Sequence, residues 1–431
     1  MRKLLFALFT FFVSVNFSMA QAGWQACKTP YFGDRVDDIF MVNCQIGYAV
    51  CGDGKIVRSI DGGENWILLT QDTNVYCRSV EFISPQKGFV GAFPDSGYKK
   101  NILRETNDSG KTWIDITSLI DSAARQGICG LCAADSNTIY GCGNYFHDSA
   151  YIVKSADGGN SWSFIDMHTY ASHLIDMYFL NKDTGFVTGS GLLPLEAAII
   201  LYTEDGGNSW SYKFQDTLAS EYVWKIQHLT DKIYFANIEN ENNMPSHILK
   251  STDGGMTWNV HVLSPTCQLI EGIGFIDSLK GWAGGWGATS FESNDGGITW
   301  TPVSVCPWMN RVFKVNDSLM FASGGSIWKY NPIITGEPKP MQNISSFALL
   351  NCYPNPVNEN LTIKISLRQS TRVLLSLFDE KGIRVKIIDN SDKLRGSYDY
   401  ALNTQNIPSG IYNVVLKTHE DKQLQKIIVS H

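Results

Sequence analysis

The segment Ser251-Thr-Asp-Gly-Gly-Met-Thr-Trp258 is one of six copies of the motif Ser/Thr-x-Asp-x-Gly-x-Ser/Thr/Asn-Trp, which we call the box. The copies span Ser59–Trp66, Thr106–Trp113, Ser155–Trp162, Thr203–Trp210, Ser251–Trp258 and Ser293–Trp300. Their aspartates are Asp61, Asp108, Asp157, Asp205, Asp253 and Asp295, at intervals of 47, 49, 48, 48 and 42 residues. A period in the forties is typical of one four-stranded propeller blade. The repeat therefore predicts a β-propeller.

Each repeat has the interior that such a blade requires. A short apolar strand such as Ile175–Phe179 is followed by a Gly/Ala-rich strand such as Gly185–Gly189, then by a strand that enters the box and by one that begins at the box tryptophan. These runs are short, alternating and bounded by turn residues. A seventh repeat without a box covers Arg311–Tyr330, and we expect Gly23–Cys27 to supply its missing outer strand and close the ring, which removes the exposed sheet edges. The prediction is an all-β, seven-bladed propeller over residues 21–330.

The box is predicted to be a rigid turn. Its aspartate can accept hydrogen bonds from backbone N–H groups of the loop, its second glycine can adopt a positive φ, and its tryptophan can pack against the blade. One carboxylate per turn is too few for a calcium site, and six residues spaced around a ring cannot converge on one substrate. We therefore expect the six aspartates to be structural, and we expect neither a metal nor a cofactor.

The two ends of the chain differ from the repeats. Arg2 and Lys3 precede an apolar run at 4–15, and Ser18-Met19-Ala20 offers small residues for cleavage, so residues 1–20 are predicted to be a signal peptide. No later segment is long and apolar enough to cross a membrane. Residues 331–349 contain three prolines and predict a linker. Six alternating strands in residues 350–431 then predict a small Ig-like β-sandwich.

Charge and cysteine content narrow the functional classes. Residues 21–349 carry 22 Lys and Arg against 34 Asp and Glu, whereas residues 350–431 carry 11 against 8. An acidic main body argues against binding to nucleic acid or to anionic membranes, because both require cations that neutralise phosphate. Ten cysteines in an exported chain permit disulfides, and Cys44 with Cys51 is the candidate for a hairpin bridge.

Two family resemblances follow from these motifs. The boxes resemble the Asp-box (BNR) repeat of sialidases, and the frame in which a Gly-x-Ala-Gly strand precedes the box is similar to Ycf48-like seven-bladed propellers over residues 24–330. The segments Tyr353–Pro356, Leu377–Gly382 and Pro408–Tyr412 resemble a type A C-terminal sorting domain of type IX secretion. This second resemblance implies a bacterium of the Bacteroidota, export to the cell surface or beyond by the type IX machinery acting on residues 350–431, and removal of this tail.

The candidate ligand-binding residues lie in the predicted connections between blades. In relatives the box lies in the turn between the third and fourth strands, so function is expected at the opposite rim, where loops are long. Four of the six propeller arginines are placed there, and their planar guanidinium groups suit carboxylate or phosphate, although pairing with local acids is the alternative. The predicted rim residues are Arg35, Arg78, Arg125, Arg311, His173, Trp224 and Trp308.

Two functions are compatible with this sequence. The first is a non-catalytic exported propeller that binds a protein or a glycan, since the fold signature is complete and no catalytic signature accompanies it. The second is a sialidase-like or xyloglucanase-like glycoside hydrolase. The chain lacks the Arg-Ile-Pro motif of sialidases, and a xyloglucanase-like enzyme needs two carboxylates across a cleft. The candidates for that pair are Asp34, Asp95, Asp148, Glu196 and Glu271. We favour binding.

Overall fold

A computed structural model describes residues 23–94, 100–143, 150–240, 244–331, 348–367, 371–380, 383–418 and 422–430. The predicted signal peptide and most of the predicted linker lie outside these residues. Within the described ranges the regular structure is β-strand apart from two short 3-10 helices, Thr117–Leu119 and Ser122–Ala124. The predicted all-β class is confirmed.

Seven antiparallel four-stranded sheets form the blades of a propeller, as the repeat predicts. Blade one consists of Val36–Met41, Gly47–Cys51, Lys55–Ser59 and Ile67–Gln71, and blade two consists of Val75–Phe82, Gly88–Pro94, Leu103–Thr106 and Ile114–Asp115. Blade three consists of Ile128–Ala133, Ile139–Gly143, Tyr151–Ser155 and Ser163–Asp166, and blade four consists of His173–Phe179, Gly185–Ser190, Ala198–Thr203 and Ser211–Gln215. Blade five consists of Glu221–His228, Tyr234–Asn240, Ser246–Ser251 and Asn259–Ser264, and blade six consists of Ile270–Phe275, Gly281–Gly285, Ser290–Ser293 and Thr301–Val303. Blade seven consists of Arg311–Asn316, Leu319–Ser323, Ile327–Asn331 and Gly23–Ala26.

The ring closes through the two ends of the propeller sequence. Gly23–Ala26 pairs antiparallel with the third strand of blade seven, with Gly23 opposite Asn331 and Ala26 opposite Trp328. The predicted closing strand is therefore confirmed. Each of the seven blades therefore has four strands, including the blade at which the ring closes.

The antiparallel order gives the propeller two distinct faces. The turns between first and second strands and the box turns between third and fourth strands lie at one end of each blade, which we call the box face. The turns between second and third strands and the connections from blade to blade lie at the other end, which we call the connection face. The first strands of all seven blades surround a central channel that lies along the axis of the ring.

Apolar side chains fill the space between neighbouring blades. Phe186 and Ile200 of blade four pack with Tyr234 and Leu249 of blade five, and the other adjacent blades form comparable clusters. The box tryptophans seal this layer at the box face. The sheets therefore stack side by side around the channel, and their burial supplies most of the stability of the ring.

The C-terminal segment forms a two-sheet β-sandwich, as predicted. One sheet has the order Ala348–Tyr353, Asn360–Leu367 and Gly396–Asn403, and the other has the order Arg384–Lys393, Thr371–Asp379, Gly410–Lys417 and Lys422–Val429. Residues such as Ile363, Leu375 and Val414 fill its core. The sequence predicted six strands here. The additional strand, Ala348–Tyr353, begins inside the predicted linker.

The predicted Cys44–Cys51 disulfide is wrong, because all ten cysteines are free thiols. Cys44 lies in a turn at the box face, whereas Cys51 ends the five-residue strand Gly47–Cys51 at the connection face. Such a strand is about 17 Å long, far beyond the reach of a disulfide. The Cys51 thiol instead donates to the carbonyl of Asp34 at 3.1 Å.

Candidate functional site

The first strands of blades one to six each carry a β-bulge close to their start. A bulge inserts a residue without a direct partner and re-aims its side chain. The side chains at these bulges meet near the connection face, since the Arg78 guanidinium of blade two lies 5.0 Å from the centre of the Trp224 ring of blade five. The residues at the bulges are Asp37, Arg78, Cys129, Ile175, Trp224, Lys225 and Glu271.

One half of this ring is a buried charge network. Arg35 precedes the first strand of blade one, and its Nε donates to Asp37 Oδ1 at 2.7 Å while its Nη1 pairs with Glu271 of blade six. Arg78 Nη1 donates to the same Asp37 oxygen at 2.8 Å. All four side chains are buried. Burial of so many charges is tolerated because each faces an opposite charge.

A second layer of charge crosses the channel deeper in the ring. Arg311 of blade seven donates from Nε to Asp38 Oδ1 at 2.8 Å and forms two hydrogen bonds with Asp176 of blade four. Lys225 Nζ stands 4.0 Å from Asp176, and burial lowers the pKa of Lys225. The two layers together hold four acids and four bases. Their charges balance within the propeller itself.

The other half of the ring is apolar. Phe93, Cys129, Ile175 and Trp224 form one buried cluster, against which Tyr76 and Tyr222 pack. Burial keeps the pKa of Cys129 above its ordinary value, and Arg78 beside it acts in the opposite direction. The centre of the ring near the connection face is therefore filled by side chains of the propeller.

The structure brings some predicted rim residues together and separates others. Arg35, Arg78, Arg311 and Trp224 converge in the channel, and all of them except Arg35 belong to first strands rather than to connections. Their predicted role in ligand binding stays a prediction. The local pairing that the sequence left as an alternative is the arrangement seen for the three arginines.

The remaining three predicted residues lie apart from this group. Arg125 donates to the backbone carbonyls of Ser118 and Ile120 at 3.0 to 3.2 Å, and thereby fixes the helical connection before blade three. His173 is buried at the start of blade four, with Nδ1 3.6 Å from Glu196 Oε1. Trp308, in the connection between blades six and seven, is 48% exposed.

Trp286 is a rim residue that the sequence reasoning missed. It follows the second strand of blade six at the connection face and is 48% exposed. Its Nε1 donates to Glu271 Oε1 at 2.5 Å, and the Arg35 guanidinium lies 4.3 Å from its ring centre. The backbone N–H of Trp308 donates to the carbonyl of Gly287 at 2.9 Å, so the loops of the two tryptophans are neighbours. The signal in the sequence was the run Gly284-Gly-Trp-Gly287, a large aromatic residue in an otherwise glycine-rich loop.

The hydrogen bonds that the sequence predicted for the box are present. In the fifth box, Ser251 Oγ donates to Asp253 Oδ1 at 2.8 Å and accepts from the Gly255 N–H at 2.8 Å. Asp253 also accepts from the backbone and the side chain of Thr257. Hydrogen bonds of this kind, chiefly from the residue four positions on, lower the pKa of all six box aspartates to about 2.

Comparison with known proteins assigns the C-terminal segment. Residues 351–430 match the family model described as a secretion system C-terminal sorting domain. A tail of this family directs type IX secretion, which delivers the protein to the cell surface or outside the cell. None of the helices in the described ranges is long and apolar enough to span a membrane.

The propeller is similar in fold to several solved structures. YCF48 from Cyanidioschyzon merolae aligns with 72% of this chain and 99% of its own, at 17% identity and a TM-score of 0.57. A structure of YCF48 bound to D1 peptide aligns with 73% of this chain and 98% of its own, at 16% identity and a TM-score of 0.54. A GH74 xyloglucanase from Xanthomonas campestris aligns with 80% of this chain and 59% of its own, at 12% identity and a TM-score of 0.54. No curated protein matches the chain in sequence.

Proposed function

We propose that this chain is an exported propeller that binds a protein or a glycan on its connection face and catalyses no reaction. The observation that carries the proposal is that Trp286 is exposed to solvent and yet held in place by its contacts. Its ring is half exposed, yet its indole N–H is held by Glu271 and one of its faces lies against Arg35. A large aromatic surface is thus fixed toward solvent by buried charges.

Fixed aromatic side chains suit recognition because they offer much contact area and lose little conformational entropy on binding. Trp308 stands on the adjacent loop with the same exposed fraction, and Tyr31 at the same face is 86% exposed. Rings of this kind stack on the apolar faces of sugars or accept the side chains of a peptide. The structure of YCF48 with D1 peptide is a precedent for peptide binding by a propeller of this fold.

The alternative function is that of a glycoside hydrolase, for which the xyloglucanase is the precedent in fold. Such an enzyme needs one carboxyl group free to give a proton and a second to act as base or nucleophile. Both oxygens of Glu271 are already engaged, Oε2 by Arg35 and Asn310 and Oε1 by Trp286. Asp34 accepts from the backbone of Arg35. Asp95 and Asp148 lie outside the described residues. These contacts favour binding over hydrolysis.

The test combines binding and turnover. The purified chain is applied to a glycan array and to a displayed peptide library, and its hydrolysis of xyloglucan and sialosides is measured. We expect saturable binding without turnover, weakened about tenfold or more by Trp286→Ala. Ile67→Ala, at an exposed position on the outermost strand of blade one, serves as the matched control and is expected to bind normally. Turnover that disappears on substitution of a rim carboxylate would overturn the proposal.

A further inference from the structure

The channel widens into a cavity at the box face. Its volume is about 520 Å³, and residues from all seven blades line it. Asp38 and Arg311 form its floor, where their ion pair separates it from the charge network near the connection face. This cavity is therefore distinct from the surface around Trp286 and lies at the opposite end of the channel.

One corner of the C-terminal sandwich lies in this cavity. Leu394 and Arg395 connect the strands Arg384–Lys393 and Gly396–Asn403, which belong to the two different sheets of the sandwich. Leu394 is only 6% exposed and packs into the apolar cluster that includes Phe40 and Phe82 of the propeller. The tail therefore covers the box-face mouth of the channel in the full-length chain.

Arg395 meets three groups that suit a guanidinium. Its Nη2 donates to Cys132 Sγ at 3.1 Å, and its planar group lies 4.6 Å from the centre of the Tyr178 ring. Glu81, a cavity-lining residue of blade two, interacts with it electrostatically. A ring face, a sulfur acceptor and a buried carboxylate together match the flat, delocalised cation of arginine better than the compact ammonium of lysine.

Glu81 is the feature that distinguishes this cavity from a simple gap in the packing. It is 8% exposed, and the four acids and four bases of the channel already balance without it. Burial raises the pKa of Glu81 to about 7, and Arg395 is the cation that most favours its ionised form. A buried carboxylate is stabilised by nearby cations, and for Glu81 the tail residue Arg395 has a larger effect than Arg311 of the propeller.

We propose that the box-face cavity is a binding site for an arginine-bearing loop of a partner protein, which Arg395 fills as an internal ligand while the tail is attached. Loss of the tail then opens the site. Because the cavity and Trp286 lie on opposite faces, this inference and the proposed function can fail independently.

The test opens the cavity in the full-length chain by the double substitution Leu394→Ser and Arg395→Ala. The probe is a cyclic peptide with the sequence of residues 391–397, Ser-Asp-Lys-Leu-Arg-Gly-Ser. A second peptide carries citrulline, a neutral isostere, in place of arginine. We expect the arginine peptide to bind the opened chain at least about tenfold more tightly than it binds the unaltered chain. Arg372→Ala is the control, because the Arg372 side chain is exposed on the tail, and this variant should bind the peptide as weakly as the unaltered chain does. Replacing arginine by citrulline in the peptide should weaken its binding to the opened chain by about tenfold. Adding Glu81→Gln to the opened chain should weaken binding of the arginine peptide by a similar factor.

The proposal is overturned if the two peptides bind the opened chain equally well. It is also overturned if neither peptide binds an opened chain whose melting temperature equals that of the unaltered chain. A second measurement does not depend on the stability of that variant. The chain is cut at a protease site inserted in the predicted linker, and the fragments are separated by size at micromolar concentration. The tail should co-elute with the propeller, and the Arg395→Ala tail should not. Co-elution of both tails, or of neither, contradicts the proposed site.

Discussion

Arg311 of blade seven and Asp176 of blade four are joined across the central channel by two parallel hydrogen bonds. Arg311 Nη1 donates to Asp176 Oδ2 at 3.0 Å, and Nη2 donates to Oδ1 at 3.2 Å. The blades are not neighbours in the ring, so this pair ties the propeller across its middle. The bidentate geometry fixes direction as well as distance. Asp38 of blade one binds the remaining Nε, and one guanidinium thus connects three blades.

Loss of this guanidinium should destabilise the propeller strongly. Arg311→Met removes the cation but leaves Asp38 and Asp176 buried, and an uncompensated buried charge costs about 3–5 kcal/mol. Urea unfolding measures the effect. Arg372→Met is the control, since its exposed pair with Asp392 at 3.7 Å is worth about 0–1 kcal/mol. Similar losses in the two variants would contradict a special role for the cross-channel pair.

The two glycines of the third box should differ in their tolerance of alanine. Gly158 and Gly159 both have positive φ, 72° and 94°, but a Cβ on Gly158 meets nothing closer than 3.8 Å, whereas one on Gly159 would overlap the Phe89 ring. We expect Gly158→Ala to cost about 1–2 kcal/mol from backbone strain and Gly159→Ala about 1–3 kcal/mol more from overpacking. Equal free energies of unfolding for the two variants would show that the box does not pack tightly on blade two.

Acid should weaken the fold through the six box aspartates. Their pKa is about 2 in the folded chain, against about 3.9 in an unfolded one, so the unfolded state binds more protons between these values. Their contribution is complete above about pH 4 and is lost as the pH falls through 2. Unfolding at pH 3 should therefore take up protons, and Asp157→Asn should reduce that uptake. A urea midpoint that is the same at pH 5 and pH 2.5 would rule this linkage out.

Thiol labelling should find ten free cysteines. The full-length chain, unfolded without reductant, is expected to take up ten alkyl groups by mass spectrometry. In the native chain the seven buried thiols should resist labelling, since burial raises the pKa of Cys77 and of Cys132 to about 11. Cys44 and Cys267 are partly exposed and should react first, whereas Cys27 should react more slowly because burial raises its pKa to about 12. Incorporation of only eight alkyl groups would show that two of the cysteines form a disulfide.

Export should depend on the tail. Deletion of residues 350–431 is expected to leave the protein in the periplasm of a host with the type IX machinery, because the sorting domain matches residues 351–430. Fractionation followed by immunoblotting measures the distribution. Trp286→Ala, which leaves the tail intact, is the control for export. Undiminished surface delivery of the truncated chain would show that the tail is dispensable.

The amino-acid sequence was sufficient to predict the blades, the closure of the ring and the C-terminal sandwich. These features follow from interactions over short sequence distances, such as the hydrogen bonds of Ser251 and Asp253 within their own turn, and from a period that the chain repeats. Local chemistry of this kind can be read one segment at a time. It also predicted the strand Gly23–Ala26, because a ring with one incomplete blade needs an outer strand from the other chain end.

It could not be predicted from the sequence which side chains meet in the channel, because their meeting depends on the three-dimensional fold. Arg311 and Asp176 are 135 residues apart, and their encounter depends on the curvature of the whole ring. The β-bulges turned Arg78 and Trp224 inward from positions that the sequence assigned to connections. The same holds for Trp286 on the rim and for Arg395 in the cavity, because no local pattern specifies which distant charge a buried side chain will face.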